Sequence, residues 1–152
     1  MKDLLQSEHV EIDNIVGGLL NGKIEWGDGL TALRESLVKH MYWEEEQLFK
    51  EVQNQVDPRM IRGLYAEHGS IIRLLNSVVS SVRIGEQGEA VSKLEALRRV
   101  LTGHNSNEDE GIYNVLNSLP KDVMDRLLAE RGNPPPDWQC AVLRGRWASE
   151  TK

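Results

Sequence analysis

Two segments of this chain carry the same order of reactive side chains. His40-Met41-Tyr42-Trp43-Glu44-Glu45-Glu46-Gln47-Leu48-Phe49 returns as His104-Asn105-Ser106-Asn107-Glu108-Asp109-Glu110-Gly111-Ile112-Tyr113. Each reads as a histidine, three residues, two acids, two residues, an aliphatic and an aromatic. On a helix, a His and a Glu four apart lie one above the other on one face. That face is apolar in both copies. Leu33 and Leu37 precede His40, and Leu48 follows Glu44; Leu97 and Leu101 precede His104, and Ile112 and Val115 follow Glu108. An imidazole and a carboxylate inside such a stripe need partners, because an unpaired charge in apolar surroundings is costly. One metal ion satisfies both.

The other two histidines repeat as well, as Glu8-His9 and Glu67-His68. The order His9, then His40 with Glu44, then His68, then His104 with Glu108 reads as a duplicated helical hairpin with one histidine per helix. The first helix is expected from about Asp3 to Leu20, ended by Asn21-Gly22. Asp28 is the expected N-cap of a second helix that runs to about Val56. Asp57-Pro58, a capping acid before proline, opens the third, and Gly85 closes it. Gly88-Glu89 opens the fourth, which runs to about Ser118. A short fifth helix follows from Lys121 to about Arg131. The Gly132-Asn133-Pro134-Pro135-Pro136 run then leaves a tail with two tryptophans, Trp138 and Trp147.

Four helices joined by short loops predict an all-α, up-down-up-down four-helix bundle over residues 1–118, with a short helix and tail over 119–152 packing on it. His9 and His40 lie about a dozen residues either side of the first turn, so both sit about 18 Å from that end at 1.5 Å per residue. His68 and His104 flank the second turn at about 17 and 15 residues, again within a helical turn of each other. All four imidazoles therefore reach one level of the core, with Glu44 and Glu108 one turn away.

Four imidazoles and two carboxylates suit a transition metal of borderline softness, such as iron, manganese or zinc. The set divides into two metals, one taking His9 and His40, the other His68 and His104, with both glutamates shared. Structural zinc would want four closed ligands and no bridges. Ferritin-like bundles use Glu-x-x-His, whereas this chain uses His-x-x-x-Glu.

The composition narrows the partners. A chain of 152 residues with net charge -6 and no basic stripe argues against nucleic acid and anionic membrane surfaces. The acidic first turns are unlike a signal peptide, and no apolar run is long enough for a membrane span. Cys140, the single cysteine, leaves no intramolecular disulfide, which makes a reducing cytoplasm the expected compartment. Its expected role is an inert packed thiol.

With these motifs, the sequence resembles the hemerythrin-like (HHE cation-binding) domains over roughly Ser7 to Leu116. The resemblance implies a bundle around a non-heme di-iron centre, oxo- or hydroxo-bridged and carboxylate-bridged. By position, His9, His40, His68 and His104 resemble the histidine ligands, and Glu44 and Glu108 the bridging carboxylates. Oxygen-carrying members place a second His four residues after the third-helix His; here that residue is Ile72. The implied function is binding or sensing of oxygen, peroxide or nitric oxide. The alternatives are a di-iron enzyme consuming peroxide or nitric oxide, and an iron storage or sensing module. The C-terminal tail is a further candidate surface for a protein partner.

Around this set, Glu45, Glu46, Asp109 and Glu110 are expected on a solvated face. Tyr42, Tyr65 and Tyr113 are expected to serve packing. Asp13, four residues after His9, suits either an acceptor for an imidazole N–H or boundary polar surface.

Overall fold

Helix α1 (Lys2–Leu20) is the first arm of a hairpin in the computed structural model, which describes residues 1–145. Leu5, His9, Ile12, Val16 and Leu19 recur at steps of three and four and are all buried, so the imidazole belongs to the apolar stripe. Gly22, at φ 79°, makes the turn in a conformation that costs a side-chain-bearing residue energy. Helix α2 spans Trp26–Trp43 with Glu25 at its N-cap, and the expected cap Asp28 lies inside its first turn. There its carboxylate faces the positive end of the helix dipole.

Past Trp43 the second arm changes pitch. Glu44–Leu48 is a π-helical segment, and α3 (Phe49–Val52) completes the arm. The second hairpin starts as its sequence suggests: the Asp57 side chain accepts the Arg59 N–H at 2.9 Å, with Pro58 next to it. Helix α4 spans Pro58–Arg83 and α5 spans Gln87–Glu110, with Gly85 at φ 79° between them. The fourth arm was expected to be continuous to Ser118, but it breaks at Gly111 and resumes as α6 (Ile112–Asn117). The π segment and the Gly111 break occupy corresponding places in the two repeats.

α1 packs beside α2 and α5, α2 beside α4, and α4 beside α5, which closes an up-down-up-down ring. Two apolar clusters fill it. One, toward the two hairpin turns, includes Val16, Leu33, Leu37, Ile71, Leu75, Leu94 and Leu97. The other includes Leu5, Trp43, Leu48, Phe49, Leu64, Ile112 and Tyr113. Residues such as Leu33 and Leu75 are fully buried, and truncating one to alanine costs about 2–5 kcal/mol. The histidines and glutamates form a polar layer between these clusters.

The remaining segments lie on this bundle. Helix α7 (Lys121–Ala129) accepts the Trp43 indole N–H at the Leu127 carbonyl, 3.2 Å away. Helix α8 (Ala141–Arg144) sits against α4 at Gly69, where a Cβ would come within 2.7 Å of Val142. Trp138 packs edge-on against Tyr42. Cys140 is a buried free thiol, pushed up to about 11 first of all by burial, in keeping with an inert packed side chain. Trp147 and the last residues of the tail lie outside the described residues. Among those described, no helix is long and apolar enough to cross a membrane.

Candidate metal centre

The bundle brings the four histidines and two glutamates into one buried layer. Glu44, Glu108 and His68 have no exposed surface, while His40 and His104 are 4 % and His9 8 % exposed. The rings meet in two pairs. His9 and His40 have centroids 4.9 Å apart at 64°, and His68 and His104 repeat both values. The sequence duplication is therefore also a duplication in space.

The carboxylates join the pairs. Glu44 Oε1 lies 3.3 Å from His40 Nε2 and 3.2 Å from His68 Nε2. Glu108 Oε1 lies 3.2 Å from His9 Nε2 and 3.1 Å from His104 Nε2. Each carboxylate thus touches one imidazole of each half. Among the described residues, two groups of ligand-type atoms are compact enough to hold an ion: His9, His40 and Glu108, and His68, His104, Glu44 and Glu108. Glu108 Oε2 is buried without a hydrogen-bond partner among the described residues. A buried carboxylate oxygen left so is costly, and a cation relieves it. The donor set and this orphaned oxygen fit a bound metal.

Three further carboxylates orient the rings. His40 Nδ1 lies 2.7 Å from Glu8, His68 Nδ1 2.6 Å from Glu45, and His104 Nδ1 2.6 Å from Glu67. A carboxylate accepting from Nδ1–H leaves the Nε2 lone pair for the centre, the tautomer that a metal requires. These carboxylates are held in turn. Arg131 pairs with Glu8, Ala141 N–H donates to Glu45 at 2.8 Å, and Asn107 donates to Glu67 at 2.9 Å.

Two expectations are corrected here, those for Glu45 and Tyr113, and of the two readings of Asp13 the boundary one holds. Glu45 is not on a solvated face: it is 1 % exposed and belongs to His68. Glu44 and Glu45 both lie in the π segment, whose i→i+5 bonding inserts a residue into the turn and departs from regular helical register, and both are buried. Its neighbour Glu46 is half-buried and accepts from Trp138, while Asp109 accepts from Gln6 and Glu110 is exposed. Asp13 serves no imidazole; it is exposed and paired with Arg98 at 3.0 Å. Tyr113 does more than pack. Its hydroxyl lies 2.9 Å from His9 Nε2, 3.4 Å from His40 Nε2, 3.0 Å from Glu44 Oε2 and 3.2 Å from Glu108 Oε1.

Glu8, Glu45, Glu67 and Tyr113 were missed as site residues. A signal existed for two of them. Glu8 and Glu67 form the repeated Glu-His dipeptide, and adjacent residues lie about 100° apart around a helix, so each glutamate faces the neighbouring arm. Glu45 and Tyr113 depend on irregular turns.

The residues with metal-ligand side chains belong to one charge system. Burial, the largest single influence on His40 and His104, lowers the imidazolium pKa, but the charges of Glu44 beside His40 and Glu108 beside His104 and the carboxylate hydrogen bonds together outweigh it. Both rise to about 10. His68 is also raised: burial opposes this, and its bonds to Glu44 and Glu45 prevail. Glu108 goes the other way. Burial would raise it, yet the His104 charge and bonds from Glu44, His104 and His40 hold it well below the usual carboxylate range. Tyr113 is pushed far up by burial and by the Glu44 and Glu108 charges. Without a cation the layer holds protons in its place.

The profile of the hemerythrin HHE cation-binding domain matches residues 2–116. The chain belongs to the hemerythrin HHE family. No curated protein and no solved structure matches it significantly. The match covers the four-helix bundle, and family membership makes this a cation-binding domain whose buried His/Glu layer could hold the metal. Arg131 and Ala141, which anchor Glu8 and Glu45, lie beyond the matched residues.

Proposed function

We propose that this hemerythrin HHE protein holds two iron ions, one between His9 and His40 and one between His68 and His104, bridged by Glu44 and Glu108. On this reading it binds or senses oxygen, peroxide or nitric oxide. The observation that carries the proposal is the position of the two Oε1 atoms, each within 3.3 Å of an imidazole nitrogen in both halves. A bound iron pair supplies redox equivalents and open coordination positions to a small ligand.

The chain's own residues supply the rest. Glu8, Glu45 and Glu67 hold three imidazoles with Nε2 toward the centre, and the apolar clusters above and below exclude bulk water. A depression of about 300 Å³ between α1 and α5 has His9 in its wall, large enough for water, peroxide or a diatomic molecule.

Ile72 favours a second reading, consumption of peroxide or nitric oxide. It is an apolar, buried side chain one turn beyond His68 and donates no ligand atom, which leaves that half with two imidazoles. Metal analysis of the purified protein, followed by exposure to each small ligand, separates the readings. A lasting spectral change marks binding, and multiple turnovers of peroxide or nitric oxide mark the enzyme.

A further inference from the structure

The two halves of the centre differ in the aromatic residue that closes each repeat. Phe49 and Tyr113 close the two repeats, and each stacks on a site imidazole: Phe49 on His68 at 5.7 Å and 21°, Tyr113 on His9 at 5.5 Å and 26°. Only Tyr113 carries a hydroxyl. That oxygen has one proton, yet four ligand-type atoms converge on it at 2.9–3.4 Å.

Those distances have the pattern of a coordination shell. Around an octahedral ion with bonds of about 2.1 Å, adjacent ligand atoms lie about 3.0 Å apart and opposite ones about 4.2 Å. Three of the four neighbours of the Tyr113 oxygen, His9 Nε2, His40 Nε2 and Glu108 Oε1, come from the residues compact enough to hold an ion on that side. His9 Nε2 lies 3.1 Å from His40 Nε2 and 3.2 Å from Glu108 Oε1, the spacing of adjacent ligands. His40 Nε2 and Glu108 Oε1 lie 4.0 Å apart, the spacing of opposite ligands.

We infer that Tyr113 is a ligand to the metal held by His9 and His40, bound as the phenolate. The inference rests on the two-metal reading above and deepens it. On binding, the O–H bond breaks, its proton leaves to solvent, and the oxygen lone pair forms the metal bond. Metal binding commonly releases ligand protons in this way. The His68–His104 half has Phe49 at the matching place and no such donor. The centre is therefore asymmetric, with a phenolate donor on the His9–His40 side alone.

The test is anaerobic loading of the full chain with ferrous iron, oxidation to the ferric state, and visible absorption with resonance Raman. Ferric phenolate gives a charge-transfer band in the visible and enhanced tyrosine ring modes. Wild type is expected to show both with two irons per chain. Tyr113→Phe, which installs the side chain already accommodated at position 49, is expected to keep the helical circular dichroism and lose both features. Two bound irons without phenolate features overturn the ligand assignment and leave the two-metal reading intact. Persistence of the features in Tyr113→Phe also overturns it. Failure of wild type to bind iron overturns both.

Discussion

Glu45 Oε2 lies 2.6 Å from His68 Nδ1, with both side chains fully buried. A regular helix would carry Glu45 about 100° away from Glu44, off the core face. Glu45 nevertheless lies buried in the π segment beside Glu44, and one arm supplies Glu44 to the centre and Glu45 to the ring behind it. Removing one member of such a buried pair costs about 3–5 kcal/mol. Glu45→Ala is expected to lower stability on that scale and to free the His68 ring, with weaker metal retention under a chelator. Glu45→Gln keeps an acceptor and should recover much of both. Chemical denaturation and chelator competition check the pair; equal retention in wild type and Glu45→Ala contradicts the role.

The second prediction concerns protons. In the metal-free protein His40 and His104 sit at about 10 against 6.5 in the unfolded chain. A raised folded value means that the native state binds the extra protons. Their contribution is fully present below pH 6.5 and is lost as pH rises toward 10. Glu108 is depressed, so its contribution is present above about 4.5 and fades on acidification. Metal affinity runs oppositely, because imidazolium must lose its proton before it ligates. The melting-temperature gap between loaded and metal-free protein is therefore expected to widen from pH 6 to pH 9. A gap that is constant or narrows contradicts the proton-for-metal exchange.

A third prediction falls on the segments beyond the family match. Arg131 holds Glu8 behind His40, and the Ala141 N–H holds Glu45 behind His68. Loss of Arg131 leaves Glu8 free to rotate toward solvent and away from His40 Nδ1–H. Arg131→Ala is expected to weaken iron retention several-fold, with Arg131→Lys partly restoring it. Chelator-driven release rates read this directly. Unchanged rates in Arg131→Ala would show that the segment only covers the bundle.

A fourth uses the duplication. Phe49 occupies the place of Tyr113 in the other half, so Phe49→Tyr adds a hydroxyl on the His68 side. The expected result is stronger phenolate absorption per iron pair and weaker binding of a small anion such as azide. An unchanged spectrum with unchanged azide affinity contradicts the pseudo-symmetric arrangement.

Much of this was legible in the chain. His40, Glu44, His104 and Glu108 stand in regular helical register with flanking leucines, and periodicity conveys such positions directly. Asp57-Pro58, Gly22 and Gly85 marked real boundaries because each has a local backbone reason. Tyr113 was not legible. It lies nine residues after His104, two and a half turns of a regular helix, and hence on the opposite face. The break at Gly111 resets that phase. Glu45 was hidden by the π segment in the same way. Both segments depart from regular helical register, whereas sequence periodicity assumes an unbroken helix.

The central claim is that six side chains hold two ions through shared glutamates. Metal content per chain after anaerobic ferrous loading and removal of excess, in wild type and in Glu44→Ala and Glu108→Ala, tests it most directly. Two irons in wild type, falling toward one or none in each variant, is the expected result. Two irons retained in both variants, or no iron held by wild type, would contradict it.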